Sequence, residues 1–310
     1  MNNNLQQRFD EYVSELQFSV RLRPETIRGY KSVFLLFLKV MPEVTSIELL
    51  TPEMLNEFFK RIQTRQRIVG RDTIKTGVKK STIKTQWSKL NVFFGWLEKK
   101  GYMEVNPLTN IKSPRVTYDD SRMLQNDEIH RIYSGIVQYS GNSLILRRDT
   151  MMVSLLLYTG VRRGEFISLQ VRDIDMDKRE ITIRGETSKS KRTRVLKMHS
   201  ILISHFRDYL KERNVRGYRT EYLIVSSRGD RGLSREGLKH WVNSLIVKSG
   251  VKFHLHRFRH TFASILANND VGAFKILKML GHTSISMTMG YIRSLRTEDM
   301  ASDIERISIE

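Results

Sequence analysis

Apolar residues recur along the first third of the chain at the three- and four-residue spacing of helices that bury one stripe. After Pro24-Glu25-Thr26 they fall at Ile27, Tyr30, Val33, Phe34, Phe37 and Leu38, so one face of that segment is built for packing and the other for water. Thr51-Pro52 sets a capping hydroxyl ahead of a first-turn proline, and Leu55, Phe58, Phe59 and Ile62 form the next stripe. A further helix starts at Ser81 or Thr82, carries Ile83, Trp87, Leu90, Phe94 and Leu97 on one face, and stops near Gly101. With a helix over Leu5 to Leu16, the pattern predicts a small bundle of four helices within residues 1–104.

The period then fails. From Asn106-Pro107-Leu108 to Arg122 the chain has neither helical nor alternating order, and 105–122 reads as an interdomain linker. Beyond Leu124 the pattern is mixed. Asn126 can cap a helix, and Arg147 to Tyr158 is another, with its apolar run from Met151 to Tyr158 fit for burial. Glu180 to Arg184 and Arg192 to Leu196 alternate like half-buried strands, joined as a hairpin by Gly185 to Lys191, and Tyr222 to Ser226 is a candidate third strand. Helices follow over about Ser234 to Lys248, His256 to Asn268, Val271 to Leu280 and Ser284 to Arg293. The expected fold is mainly α with a small β-hairpin or sheet: a helical domain over 1–104, then an α+β domain over 123–310 with a tail from 294 to 310.

Charge changes what this bundle is for. Lys and Arg total 53 against 33 acidic residues in 310, a net charge of +20, which calls for a polyanionic partner, nucleic acid first. Arg61, Arg65, Arg67, Arg71, Lys75, Lys79, Lys80 and Lys84 follow one another with almost no acidic relief. A solvated cationic connection between helices is one reading; phosphate contact is the favoured one. A membrane partner is not expected, because no apolar run approaches the roughly 20 residues of a span. Cysteine is absent, so disulfides and thiolate metal sites are excluded, in keeping with a reducing cytosol. The opening residues show no charged segment followed by an apolar core, so no signal peptide and a cytoplasmic location are expected. Gly-x-x-x-x-Gly-Lys is missing, which argues against an ATP-driven motor.

The chemistry-bearing residues come late. Thr159-Gly160-Val161-Arg162 with Glu165 is followed by His256-Arg257-Phe258-Arg259-His260, then Leu280-Gly281-His282, then Tyr291. Guanidinium is planar, always charged and bidentate towards phosphate, so Arg162 and Arg259 suit a clamp on both non-bridging oxygens. His256 and Arg259, three apart on a helix, share a face. His256 can act as base or phosphate ligand and His282 as a hydrogen-bond donor. Tyr291 is a candidate nucleophile whose phenol, with an unperturbed pKa near 10, needs a base or a neighbouring cation. Glu165, three after Arg162, either orients that arginine or a nearby histidine or makes a surface salt bridge. His254, His256 and His260 cluster, but no carboxylate lies between Val251 and Asn269, so no metal site is expected and His260 is read as structural.

Together these residues resemble the tyrosine recombinase (phage integrase) family, whose pattern is an Arg after Thr-Gly, a Lys on a β-hairpin, a His-x-x-Arg, a Leu-Gly-His and a Tyr nine positions on. Each element occurs here in that order. The resemblance selects the lysine. The family's hairpin runs from a Lys to an Arg and a Val-Pro, and counting back from Arg194 gives Lys189, with Lys191 the second candidate and Lys197 where Pro is common. Lys189 is then the general acid for the leaving 5′ oxygen, with Lys191 and Arg192 as DNA contacts.

What the resemblance implies is a Xer-like two-domain site-specific DNA recombinase, with a SAM-like core-binding domain and a catalytic domain closing round double-stranded DNA as a C-shaped clamp. It cleaves and rejoins through a 3′-phosphotyrosine and a Holliday junction. One ester replaces another, so neither ATP nor a metal or other cofactor is needed. It also implies a homotetramer on two DNA sites in which the tail docks on a neighbouring subunit, an optional directionality factor, and a nucleoid-associated protein of prokaryotic, viral or mobile-element origin. The rival enzyme class with the same chemistry is a type IB topoisomerase-like relaxing enzyme.

Overall fold

The computed structural model describes residues 4–70, 72–116, 123–188 and 190–281. Arg71, Lys189, His282, Tyr291, the expected helix from Ser284 to Arg293 and the tail lie outside the described residues. The chain divides into two compact units, Met1–Thr117 and Tyr118–Glu310.

The first unit is the expected bundle. Its helices are α1 (Leu5–Ser14), continued by a π-helical turn over Glu15–Ser19, α2 (Pro24–Val40), α3 (Pro52–Thr64) and α4 (Lys80–Lys99). Pro24 and Pro52 occupy first turns, where a missing N–H costs nothing, and the Thr51 hydroxyl accepts from Met54 N at 3.2 Å. The stripes meet in an aromatic core of Phe9, Tyr12, Phe34, Phe37, Phe58, Phe93 and Phe94. Asn106 Nδ2 donates to the Asn91 side chain at 2.9 Å, and Leu108 is buried in the same core.

The basic segment, expected as a connection, folds in part as a hairpin. β1 (Gln66–Val69) and β2 (Thr73–Thr76) pair antiparallel, with Arg67 opposite Lys75 and Ile68 opposite Ile74. Gln-Arg-Ile-Val and Thr-Ile-Lys-Thr carry enough β-branched residues to extend.

The second unit is built round α6 (Ser143–Thr159), whose residues Met151 to Leu157 are all buried. It packs against α5 (Asn126–Tyr139), α8 (Ser200–Val215) and α10 (Leu255–Asn268). The short α7 (Arg163–Ser168), then α9 (Arg235–Ser249) and α11 (Ala273–Leu280) complete the α-helices among the described residues. α5 is capped by Gln125 rather than Asn126, with Gln125 N donating to Glu128 Oε2 at 3.0 Å.

The expected hairpin is present as β4 (Glu180–Ile183) and β5 (Arg194–Lys197), with β3 (Ile174–Asp175) as the third strand in the order β3-β4-β5. Residues 222–226 are not that strand: they make only isolated bridges, Gln170 to Tyr222 and Val225 to Gly232. Leu223, Ile224 and Val225 are all fully buried, so the run serves the core instead of alternating between faces.

Candidate active site

The site is assembled from four helices, α6, α7, α10 and α11, and the β4–β5 hairpin. α6 ends at Gly160 in the left-handed conformation, φ 56°, where an L side chain is strained. The turn also has no room: a Cβ at 160 would sit 2.6 Å from Phe262 Cδ1. Leaving this turn, Arg162 is extended and caps α7, its backbone N donating to Glu165 Oε2 at 2.9 Å. Its guanidinium reaches Glu165 Oε1 at 3.1 Å and the Gly281 carbonyl at 2.7 Å.

α10 places its two arginines on different duties. Arg257 is fastened to Glu128 through both carboxylate oxygens, at 3.1 and 2.7 Å, and to the Met123 carbonyl at 3.0 Å. Arg259 is 2% exposed and donates to the carbonyls of Gly160 at 2.8 Å and Leu280 at 2.6 Å. The three neighbouring histidines also separate. His254 is the N-cap, its Nδ1 accepting from Arg257 N at 3.1 Å, while the rings of His256 and His260 meet edge to face at 4.7 Å. His256 is exposed and His260 half-buried.

The last carbonyls of α11 gather these elements. Met279 O accepts from Arg194 Nε at 3.0 Å, Leu280 O from Arg259, and Gly281 O from Arg162. Carbonyls at a helix C-terminus lack intrahelical partners and carry the negative end of the helix dipole, so three guanidinium groups are a matched cap. Arg162 and Arg259, far apart in sequence, thus meet on adjacent peptide units directly before His282.

Glu165 is the second hub. It is 1% exposed and holds Arg194 by two parallel contacts, Nη1 to Oε1 at 3.0 Å and Nη2 to Oε2 at 2.7 Å, besides Arg162 and the Ser188 hydroxyl at 2.9 Å. Burial alone would raise its pKa, but the hydrogen bonds and charge of Arg194, with the N–H and guanidinium of Arg162, outweigh it and bring the carboxyl down to about 2. The carboxylate is therefore buried between the guanidinium groups of Arg162 and Arg194 instead of forming a surface salt bridge. Arg194 and Ser188 were not among the expected site residues. The available signals for Arg194 were its match to the arginine of the family's hairpin pattern and its place two before the buried Leu196 on β5, hence on the inward face.

Of the remaining basic candidates, Lys191 and Arg192 are exposed on the connection before β5. In the first unit Lys75, Lys79, Lys80 and Lys84 are exposed, and Arg65 and Arg67 half-buried. Arg61 is engaged within the bundle, with Glu43 at 2.7 Å, Glu57 at 3.1 Å and the Val40 carbonyl at 3.0 Å. Arg67 Nε donates to Gly77 O at 2.7 Å. Among the described residues no helix is long and apolar enough to cross a membrane.

Comparison with known proteins gives two family matches: the phage integrase family over residues 122–298, and the phage integrase N-terminal SAM-like domain over residues 9–101. Tyrosine recombinase XerC of Oceanobacillus iheyensis is 25% identical over 298 residues, covering 93% of this chain and 92% of the relative. A tyrosine recombinase of Thermosipho africanus is 26% identical over 287 residues, covering 92% and 93%. Among solved structures, the Tn1549 transposon integrase in complex with transposon right end DNA superposes with a TM-score of 0.78 at 17% identity, over 98% of this chain and 99% of that one. XerH site-specific recombinase bound to its palindromic difH substrate gives 0.71 at 21% identity, over 91% and 80%. A lambda integrase tetramer bound to a Holliday junction gives 0.70 at 18% identity, over 100% and 82%. With both of its units matched, the chain belongs to the phage integrase family.

Proposed function

We propose that this chain is a site-specific DNA recombinase that cuts and rejoins double-stranded DNA through Tyr291. The phenolic oxygen attacks the scissile phosphorus, forming a P–O bond to Tyr291 as the P–O5′ bond breaks. The phenolic proton passes to a base, for which His256 is the candidate, and Lys189 protonates the departing 5′ oxygen. The products are a 3′-phosphotyrosine and a 5′ hydroxyl. One phosphodiester replaces another, so the reverse attack by a 5′ hydroxyl from a second duplex reseals the strand without an energy source. Arg162 and Arg259 neutralise charge on the pentacoordinate phosphorus, and His282 donates to one of its oxygens.

The observation that carries this reading is the placement of both arginines on the adjacent carbonyls of Leu280 and Gly281, one residue before His282. Family membership supports the rest: residues 1–104 as a DNA-binding domain joined through 105–122 to the catalytic domain, a homotetramer exchanging one strand pair at a time across a Holliday junction, and a cytoplasmic protein that accepts a directionality factor. The exposed lysines of the first unit, with Lys191 and Arg192, track the phosphate backbone.

The test is covalent trapping on a nicked duplex cut from DNA flanking the gene. The unsubstituted chain becomes linked to a 3′ phosphate at one position, and Tyr291→Phe binds the duplex without linkage. Strand joining by Tyr291→Phe would sink the assignment. Relaxation of plasmids irrespective of sequence, with no exchange between two sites, would replace it with the relaxing-enzyme reading.

A further inference from the structure

Every nitrogen of the Arg194 guanidinium has a partner within the protein. Nη1 and Nη2 meet the two oxygens of Glu165, Nε donates to Met279 O, and the side chain is only 10% exposed. The group also packs against the next turn: a Cβ at Gly281 would lie 2.9 Å from Arg194 Nη1 and 3.1 Å from Cζ. The glycine of Leu-Gly-His is thus required by its φ of 63° and by Arg194 together.

At the other end of the hairpin connection, Ser188 donates to the same Glu165 carboxylate at 2.9 Å. Residues 188 and 194 bracket Lys189, Lys191 and Arg192, and both are fastened to the carboxylate that holds Arg162. If Arg194 served only to hold a strand, an apolar side chain of similar volume would do so without the cost of burying a charge. Only a planar fork with donors along two edges can join a strand, a helix-capping carboxylate and a helix C-terminus at once.

We infer that Arg194 is a positioning residue for strand cleavage, setting the lysine-bearing hairpin against Arg162 and against the turn that leads into His282. The inference rests on the recombinase reading above. Arg194 does not meet the phosphate; it acts through the lysine that protonates the 5′ oxygen. Its loss therefore harms the proton-dependent departure of that oxygen more than it harms DNA binding.

The test uses the full chain and the nicked duplex prepared in two forms, with oxygen or with sulfur at the bridging 5′ position of the scissile phosphate. In the sulfur form the Tyr291 oxygen still bonds to phosphorus and the P–S5′ bond breaks, but the thiolate leaves without needing a proton. Arg194→Lys and Arg194→Ala slow linkage to the oxygen duplex by about tenfold to a hundredfold, the scale of a displaced general acid, with affinity for the duplex held within about twofold. On the sulfur duplex both variants return to within about threefold of the unsubstituted chain. An equal defect on both duplexes, or loss of duplex binding in both variants, overturns the inference and makes Arg194 a fold-supporting residue. Failure of the unsubstituted chain to link to either duplex would instead overturn the recombinase reading, and this inference with it.

Discussion

Arg259 Nη1 donates to the Gly160 carbonyl at 2.8 Å, so the arginine of His-x-x-Arg is held by the residue that ends α6 and sets up Arg162. The two family arginines are therefore placed by one turn, and that turn depends on a residue without a side chain.

Gly160→Ala tests the dependence. The new methyl group meets Phe262 Cδ1 at 2.6 Å while the backbone stays at φ 56°, combining left-handed strain with overpacking for a loss of about 2–4 kcal/mol. Calorimetry should show the lower melting temperature. Covalent linkage to DNA should fall further than melting alone accounts for, because both arginines shift; full linkage at unchanged melting temperature would disprove the coupling.

Glu165 makes stability depend on pH in a defined window. Its folded pKa, about 2, lies below the ordinary value of 4.5, so its contribution is complete above pH 4.5 and is lost as pH falls towards 2. The shift corresponds to on the order of 3 kcal/mol. Glu165→Gln removes the charge from between Arg162 and Arg194, and the second unit should lose roughly 3 kcal/mol at neutral pH, as for a broken buried pair. Melting temperatures from pH 7 to 3 should then fall less steeply in the variant than in the unsubstituted chain. A parallel pair of curves would remove Glu165 as the source.

On the β1–β2 hairpin, Arg67 and Lys75 stand directly opposite each other, a like-charge pair that is unfavourable until an anion bridges it. Lys75→Glu should therefore leave the fold intact or slightly firmer and yet weaken duplex binding. The dependence of log affinity on log salt should flatten by about one phosphate contact or more. Arg61→Ala is the contrast: its guanidinium serves Glu43 and Glu57, so melting temperature should drop and the salt slope hold. Anisotropy titrations over a range of potassium chloride separate the two, and the same slope change in both variants would remove the distinction.

How much of this could be read beforehand depended on whether the signal was local. The stripes of α2, α3 and α4 follow from periodicity, and Arg162, His256 and Arg259 stand in short runs whose residue types declare their chemistry. Helix α8 carries Leu202, Phe206 and Tyr209 at helical spacing, a legible signal for which no element was expected between the hairpin and Tyr222. Arg194 and Ser188 are different. The hairpin pattern marks Arg194 as a position but not as a partner of Glu165 and Met279; that role, like the contact of Ser188 with Glu165, exists only because α11 and α7 come to lie beside β5. For the run at 222–226, burial on both faces removes the alternation by which a strand or a core-filling segment could be told apart.

The pentapeptide His256 to His260 offers the sharpest separation of structural from chemical roles, because its two arginines sit two positions apart with different partners. Arg257 ties α10 to Glu128 on α5 and to the Met123 carbonyl, contacts that lie away from the Gly160, Leu280 and Gly281 carbonyls. Arg257→Lys replaces a bidentate fork with a point charge, so melting temperature should fall while the rate of covalent linkage, measured well below melting, stays within about threefold. Arg259→Lys keeps a positive charge but cannot span the carbonyls of Gly160 and Leu280 together with a phosphate oxygen. Its linkage rate should fall by about a hundredfold or more, as for a lost transition-state donor, with duplex affinity little changed. If the two variants lost rate alike, the division of labour on α10 would be wrong, and Arg259 would be no more than a second strut.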